Sequence, residues 1–133
     1  MKNIVNIFQL LSDETRVRIL MLLTRKELCV CQLMGVLGIS QPLVSRNISL
    51  LNRAGFLDEK REGKLMFYSI KKDISPAIER ALDMLLIELR GDATFKNDLE
   101  SLTDCAEFQK KTGKCDMATF LKFMERKRKK IRR

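Results

Sequence analysis

Cys29 and Cys31 stand one residue apart, and their thiols are the side chains of this sequence best suited to hold a soft ion. Two further thiols, Cys105 and Cys115, lie in the last third of the chain. Thiolates favour soft, thiophilic metals and metalloids over hard cations. Histidine, another common ligand for transition metals, does not occur in the sequence. The composition therefore predicts an all-thiol ion site drawn from these four cysteines.

Other roles for the thiols stay open at this point. Cysteine often serves as a small apolar core residue, and Cys105 follows Leu102 by three positions, as a core residue of a helix would. Cys115 precedes Asp116 in a predicted turn, where it is expected to be exposed and open to oxidation to a disulfide. Catalysis is not expected, because the chain has no histidine base and its Cys-Val-Cys spacing differs from the Cys-x-x-Cys of thiol oxidoreductases.

The composition indicates one globular domain that acts in the cytoplasm. The 133 residues are 45% hydrophobic and 32% charged, which is typical of a folded chain. No apolar run approaches the roughly 18 residues that a membrane span needs, and polar residues interrupt the early apolar stretch over 4–11, unlike a signal peptide. Cytoplasmic thiols stay reduced, so we expect the cysteines to be available as ligands or sensors.

The net charge of +9 is concentrated at the C-terminus. Residues 126–133 carry seven positive charges and no acid, which leaves only +2 on the rest of the chain. Such a segment is typically solvated and partly disordered, and it is expected to add non-specific attraction to DNA phosphates. The alternative is a nucleic-acid architectural protein whose binding depends on this tail. Deletion of residues 126–133 would then abolish specific DNA binding and not merely weaken it.

Apolar residues recur at helical spacing through the first part of the chain. The pattern predicts helices over 2–11, over 12–24 with Ser12 as N-cap, over 28–37, and from Ser40 to about 54. Gly38 separates the last two helices, and Pro42 is tolerated in the first turn of the fourth. A helix, a short turn with glycine and a second helix are typical of the helix-turn-helix.

Residues 56–71 predict a β-hairpin that turns near Glu62 and Gly63. A fifth helix is expected from Ser75 to Gly91, followed by two less regular helices. A hairpin after a helix-turn-helix is a wing, so the predicted fold class is mainly α with a β-hairpin wing, a winged helix-turn-helix. We divide the chain into a winged-helix domain over 1–91 and a helical C-terminal extension with a basic tail over 92–133.

The polar face of the fourth helix is suited to read DNA. Val44, Ile48 and Leu51 form its apolar back, which turns the polar residues of its start toward the major groove. Arg46 is able to bind guanine through two hydrogen bonds, and basic residues of the wing suit phosphates or the minor groove. The predicted DNA-binding residues are Ser40, Gln41, Pro42, Ser45, Arg46, Ser49, Lys60, Arg61 and Lys64.

Three segments resemble the ArsR/SmtB family of winged-helix repressors that sense metals and metalloids. They are LCVCQL at 28–33, LGISQPLVSR at 37–46 and LNRAGF at 51–56. The resemblance implies a homodimer held by the first and fifth helices, a palindromic double-stranded operator, and release of DNA when an inducer binds. The stretch Glu27–Cys31 is similar to the arsenic-sensing branch, which implies arsenite or antimonite as inducer. No organic cofactor and no membrane partner are expected.

The resemblance leaves the third ligand undecided. Family members that sense arsenic often carry a third cysteine where this sequence has Met34. Cys105 or Cys115 is able to complete a three-thiolate site, from the same or the other subunit, and two thiolates with water are an alternative. A four-thiolate zinc, cadmium or lead site and a redox-sensing disulfide are the remaining alternatives.

The spacing of Cys29 and Cys31 predicts a mechanism if both lie in one regular helix. Side chains two residues apart then point about 200° from one another, so one small ion cannot reach both sulfurs. Binding would have to bend or unwind the start of the third helix. Because Gly38 connects that helix to the fourth, we expect the distortion to reach the DNA-reading residues.

Overall fold

The computed structural model describes residues 1–113 and 117–132. The helices in these ranges are α1 (Lys2–Leu11), α2 (Glu14–Leu23), α3 (Val30–Leu37), α4 (Gln41–Arg53), α5 (Pro76–Glu88), α6 (Ala93–Thr112) and α7 (Met117–Arg132). The strands are β1 (Leu28–Cys29), β2 (Leu57–Glu62) and β3 (Leu65–Ile70). The predicted fold class is confirmed, and none of these helices is long and apolar enough to cross a membrane.

The N-cap of α2 is Asp13, and not Ser12 as the sequence predicts. Asp13 has an extended backbone, and its carboxylate accepts a hydrogen bond from the Arg16 amide at 3.0 Å. Ser12 instead closes α1, where its hydroxyl donates to the Gln9 carbonyl at 2.6 Å. Both residue types cap helices well, and the carboxylate at the start of α2 also gains from the helix dipole.

The third helix begins two residues later than the sequence predicts. Leu28 and Cys29 form β1, which pairs with β3 so that Leu28 lies opposite Tyr68 and Cys29 opposite Phe67. Amides in the first turn of a helix lack helical partners, so pairing with β3 gives this segment hydrogen bonds that an earlier helix start would not. The predicted helical geometry of Cys29 and Cys31 is therefore wrong, because Cys29 lies outside the helix.

α3 and α4 form the predicted helix-turn-helix. Gly38 ends α3 at φ 69°, in the left-handed region that glycine adopts without steric cost. The Ser40 hydroxyl caps α4 by accepting from the Leu43 amide at 3.4 Å. The predicted apolar back of α4 is confirmed, since its three residues are all buried: Val44, Ile48 and Leu51.

β2 and β3 form the predicted hairpin wing. Their antiparallel register pairs Leu57 with Ile70 and Glu62 with Leu65, with the turn between the last two. β3 also pairs with β1, so the sheet order is β1-β3-β2. Asn52, near the end of α4, donates a side-chain hydrogen bond to Glu59 of β2. The wing is therefore linked both to α4 and to the segment that contains Cys29.

α3 is buried over most of its surface and not along one stripe. Every residue from Gln32 to Leu37 is buried, whereas helical spacing in the sequence predicts one apolar stripe of four residues: Val30, Leu33, Val36 and Leu37. The difference arises because α6 and α7 pack on α3 in addition to α4. Cys105 of α6 and Phe123 of α7 belong to the same buried cluster as the helix-turn-helix core, so the extension packs directly on the helix-turn-helix.

A two-point ion pair fastens α6 to α2. Arg18 donates from Nε and a terminal nitrogen to the two carboxylate oxygens of Asp98, at 3.0 and 2.9 Å. The hydrogen bond to Asp98 raises the pKa of Arg18. The Asp98 side chain is only 5% exposed, and an unpaired charge at such a site is strongly destabilising. The pair therefore fixes where α6 sits.

The basic C-terminal segment is helical, which corrects the prediction of a partly disordered tail over 126–133. Arg126, Arg128 and Lys129 are exposed, in agreement with the predicted solvation. α7 runs to Arg132, and position 133 lies outside the described residues. Lys127 is half-buried, and its ammonium donates to the Val36 carbonyl at 2.7 Å. Val36 lies in the last turn of α3, where carbonyls lack helical partners and the helix dipole favours a cation.

Replacing Lys127 with methionine is expected to lower the free energy of unfolding by about 1–3 kcal/mol. Methionine keeps an apolar stem but leaves the Val36 carbonyl without its donor. Urea unfolding of the full chain measures the effect, with Arg128→Met as the matched control on an exposed neighbour. Equal decreases in the free energy of unfolding of the two variants would show that the hydrogen bond from Lys127 does not hold α7 on α3.

α1 and α5 keep large apolar side chains in water. Ile4 and Phe8 of α1 are 45% and 62% exposed, and Met84 and Ile87 of α5 are 48% and 61% exposed. Isolated exposed apolar residues are common, but contiguous apolar surface on a helix often marks an interface. These residues lie on the two helices for which the family resemblance implies dimer contacts.

Candidate thiol site and nucleic-acid interface

Cys29 occupies the N-cap position of α3. Its backbone is extended, with φ −92° and ψ 170°, and the residue is only 2% exposed. Its amide donates to Gln32 Oε1 at 3.0 Å, so the side chain of Gln32 reaches back over the first turn of the helix. β1 on one side and this hydrogen bond on the other therefore fix the backbone from which the Cys29 thiol extends.

Gln32 also joins the start of α3 to α6. Its amide nitrogen donates to Gln109 Oε1 at 2.9 Å, and Gln32 is almost completely buried. Gln109 lies four residues after Cys105, and residues at that spacing share one face of a helix. The glutamine pair therefore holds the face of α6 that contains Cys105 against the segment that contains Cys29.

Cys105 is a core residue and a neighbour of Cys29. It is 2% exposed, as its spacing after Leu102 predicts. Burial raises the pKa of the Cys105 thiol from 9.0 to about 12, and the nearby Cys29 contributes to the rise as the second cause. Lys26 and Lys127 act in the opposite direction. The thiol is therefore protonated at neutral pH, and it is close enough to Cys29 for the two thiols to interact electrostatically.

The raised pKa of Cys105 predicts a loss of stability in alkali. Between pH 9 and about 12 the unfolded chain releases this thiol proton while the folded chain retains it, so the free energy of unfolding falls as pH rises and is unaffected by this group below pH 9. From pH 8 to 10, urea unfolding under reducing conditions should show a decrease up to about 1 kcal/mol larger in the wild type than in Cys105→Ala. Parallel pH profiles would contradict the raised pKa.

Cys31 lies in the first turn of α3, two residues after Cys29. It is partly buried and packs against the core cluster. Its side chain is a reduced thiol, as are the side chains of Cys29 and Cys105. Over 1–113 and 117–132, no three cysteine or acidic side chains already form a cluster that fits a metal ion. Cys29 and Cys105 are close enough to interact electrostatically, and Cys31 follows Cys29 by two residues at the start of α3. Cys115 lies outside the described residues.

The DNA-reading residues predicted on α4 lie at its exposed start. Gln41 Nε2 donates to Ser45 Oγ at 2.9 Å, which orders two polar side chains on one side of the first turn. The Ser40 hydroxyl is engaged in the cap of the helix. Ser45 is partly buried, and five of the six predicted residues are exposed: Ser40, Gln41, Pro42, Arg46 and Ser49. This surface is able to enter a major groove.

The three basic residues predicted on the wing are all exposed. Lys60 pairs with Glu62 at 3.3 Å, but both side chains are at least half exposed, so the pair is weak and its lysine is able to exchange the carboxylate for a phosphate. Arg61 and Lys64 flank the turn of the hairpin. The end of the wing therefore presents positive charge to a backbone that it approaches.

Arg16 positions the reading helix, and it is not among the residues predicted from the sequence. Its Nε donates to the Leu10 carbonyl at 2.7 Å, and a terminal nitrogen donates to Asn47 Oδ1 at 3.3 Å. Asn47 is 3% exposed and donates to the Leu43 carbonyl at 3.0 Å. The signal in the sequence was Asn47 itself, a polar residue on the apolar back of α4 that required a partner.

Comparisons with known proteins point to one family. Residues 13–59 match the family model described as bacterial regulatory protein, arsR family. The chain is 36% identical over 77 residues to the arsenic resistance transcriptional regulator ArsR1 of Pseudomonas putida, a match that covers 57% of this chain and 60% of that protein. It is 38% identical over 80 residues to the arsenical resistance operon repressor of Escherichia coli, which covers 59% of this chain and 68% of that one.

A solved structure shares the fold. Reduced HlyU from Vibrio cholerae is 26% identical, with a TM-score of 0.57, over 64% of this chain and 86% of that one. In all of these comparisons more than a third of this chain lies outside the match. Two kinds of evidence indicate the same protein family: the helix-turn-helix with its wing, and the matches to resistance regulators. The chain belongs to the ArsR family, whose members are winged helix-turn-helix transcriptional regulators and not enzymes.

Proposed function

We propose that this protein is a dimeric repressor that binds operator DNA and releases it when arsenite or antimonite binds Cys29, Cys31 and Cys105. The observation that carries the proposal is the hydrogen bond between Gln32 and Gln109, which supports a position of Cys105, on the same face of α6 as Gln109, close to Cys29 at the start of α3. The relatives named for arsenic resistance support a metalloid as inducer. Such a site operates in the cytoplasm, where thiols stay reduced.

The protonated thiol of Cys105 favours a metalloid over a divalent metal. Arsenous acid, As(OH)3, forms one As–S bond with each of three thiols, each thiol proton leaves with one hydroxide, and three water molecules are released. No oxidation and no net loss of protons occur. Cadmium, lead or zinc binds thiolates and has to displace a proton from each thiol. Burial raises the pKa of Cys105 to about 12, and this opposes the divalent ions at neutral pH.

The site is connected to the DNA-reading surface through α3. No three potential ligands are clustered among the described residues, so we expect capture of arsenic by three thiols to rearrange the start of α3, where Cys29 and Cys31 lie. Cys31 is part of α3, which packs on α4 and ends only two residues before the cap of α4 at Ser40. We infer that this rearrangement changes the packing of α3 on α4 and misplaces the reading residues.

The exposed apolar residues of α1 and α5 support a homodimer. Ile4, Phe8, Met84 and Ile87 are each more than two-fifths exposed, and burial in a second copy would remove this apolar surface from water. A two-fold dimer presents two copies of α4 to two half-sites of a palindrome. A shift of both reading helices then releases the whole operator.

Native mass spectrometry of the reduced full chain with arsenite tests the ligand set. Capture by three thiols retains arsenic alone, whereas capture by two thiols also retains one hydroxide, so the two adducts differ by the mass of one water molecule. We expect the three-thiol adduct in the wild type and in Cys115→Ala, and the two-thiol adduct in Cys105→Ala.

The opposite pattern would contradict the proposal. A three-thiol adduct that persists in Cys105→Ala and disappears in Cys115→Ala would make Cys115 the third ligand. Binding of cadmium, lead or zinc without an arsenic adduct would replace the metalloid by a divalent metal. If neither binds and mild peroxide alone releases DNA, the thiols form a redox switch.

A further inference from the structure

α4 exposes one large apolar side chain among the polar side chains at its start. Leu43 is 39% exposed, in the same first turn as Gln41 and Pro42. Its amide donates to Ser40 Oγ at 3.4 Å, and its carbonyl accepts from Asn47 Nδ2 at 3.0 Å. Both backbone groups are therefore held, and the side chain extends from a fixed point of the helix.

Leu43 and Arg46 are neighbours on the exposed side of α4. Residues three apart on an α-helix differ by about 60° in direction and about 4.5 Å along the axis. Arg46 is exposed, and Leu43 lies between it and the buried back of the helix. The two side chains therefore enter the same part of any groove that the start of α4 occupies.

The major groove offers an apolar side chain one kind of partner. Among the base edges there, thymine alone carries an apolar group, its 5-methyl, whereas the other edges present hydrogen-bond donors and acceptors. A leucine held against polar edges would displace water without replacing its hydrogen bonds. Leucine against the thymine methyl removes apolar surface from water on both sides.

We propose that Leu43 contacts the 5-methyl of thymine and makes this protein select thymine beside the guanine that Arg46 binds. Because 4.5 Å along the helix compares with about 3.4 Å per base step, the thymine lies one or two base pairs from that guanine. The proposal rests on the proposed function, in which α4 reads operator DNA, and it adds a second base to the sequence that each half-site must contain.

Thymine-to-uracil replacement tests the contact, since deoxyuridine lacks only the methyl group. The reduced full-length protein first selects duplexes from a random pool, and each thymine of the selected sequence is then replaced singly. Fluorescence anisotropy gives the dissociation constants. At one thymine in each half-site, we expect removal of the methyl to weaken wild-type binding about fourfold, the factor that corresponds to about 0.8 kcal/mol for one buried methylene group.

Leu43→Ala is expected to bind the thymine duplex about as weakly as the wild type binds the uracil duplex, and to bind both duplexes equally. Leu43→Gln gives the same test with a side chain of similar length if the alanine variant is unstable. Leu43→Met keeps an apolar end and should restore the preference for thymine. The matched control is Leu121→Ala, which removes a 52% exposed leucine of α7 and should leave both affinities unchanged.

Two outcomes would overturn the inference. If Leu43→Ala and Leu43→Gln respond to uracil as the wild type does, another side chain contacts the methyl. If no thymine of the selected sequence responds to uracil, no methyl is read at all. Failure of the wild type to select any duplex is a different result, because it overturns the proposed function itself.

Discussion

Replacing Cys105 with alanine is expected to raise the arsenite concentration that releases half of the operator DNA by about 100-fold or more. Loss of a residue that merely orients a metal ligand typically costs 10- to 100-fold in affinity, and loss of a ligand should cost at least as much. DNA affinity without arsenite should be unchanged, because Cys105 lies in the contact of α6 with α3 and not on the reading surface. Anisotropy of labelled operator during arsenite titration measures both quantities.

Two control variants separate ligand loss from structural damage. Cys115→Ala removes a thiol of the same chain, and it should respond to arsenite as the wild type does. Leu102→Ala removes a partly buried residue one turn earlier on α6, and it should weaken α6 packing without removing a ligand. If Leu102→Ala desensitises the protein as strongly as Cys105→Ala, the packing of α6 and not its thiol sets the response.

Cys29→Ser and Cys31→Ser extend the same test to the pair at the start of α3. Each variant is expected to bind operator and to lose the release by arsenite. Cys29 is almost completely buried, so its serine variant should also be less stable, which thermal unfolding detects. A variant that still releases DNA at the wild-type arsenite concentration would exclude its cysteine from the ligand set.

The features that sequence reasoning predicted correctly have local causes. The left-handed turn at Gly38, the hydroxyl cap at Ser40 and the buried spacing of Val44, Ile48 and Leu51 depend on residues within one or two turns of each other. Short-range caps and periodicity encode such elements directly. The helix-turn-helix and its exposed polar face were therefore predictable without any knowledge of distant contacts.

The features that sequence reasoning missed depend on residues far apart in the chain. β1 exists because Cys29 meets Phe67 of β3, and α7 is docked because Lys127 reaches the Val36 carbonyl. The contact between the start of α3 and the face of α6 that contains Cys105 depends on the hydrogen bond between Gln32 and Gln109. Glutamine and lysine are usually exposed. No pattern in the sequence therefore indicated that the side chains of Gln32 and Lys127 would make buried contacts.

Replacing Arg46 with alanine is expected to lower the preference for selected operator over scrambled DNA by about tenfold for each half-site. A two-point contact with guanine contributes about 1–3 kcal/mol of discrimination against the wrong base, and Arg46 is the exposed arginine at the start of the reading helix. Arg53→Ala is the matched control, because it removes an exposed arginine from the other end of α4.

The two arginine variants differ in their expected effect on base preference. Both remove one positive charge, so both should weaken binding to scrambled DNA, and removal of a side chain that binds one phosphate should reduce the salt slope by about 1. Arg46→Ala alone should reduce the operator preference, and Arg46→Lys should lose most of that preference while keeping its charge, because an ammonium cannot form the two-point contact. An unchanged preference in Arg46→Ala would exclude Arg46 from base reading and leave it a phosphate-binding residue, and the guanine beside the thymine proposed for Leu43 would then need another reader.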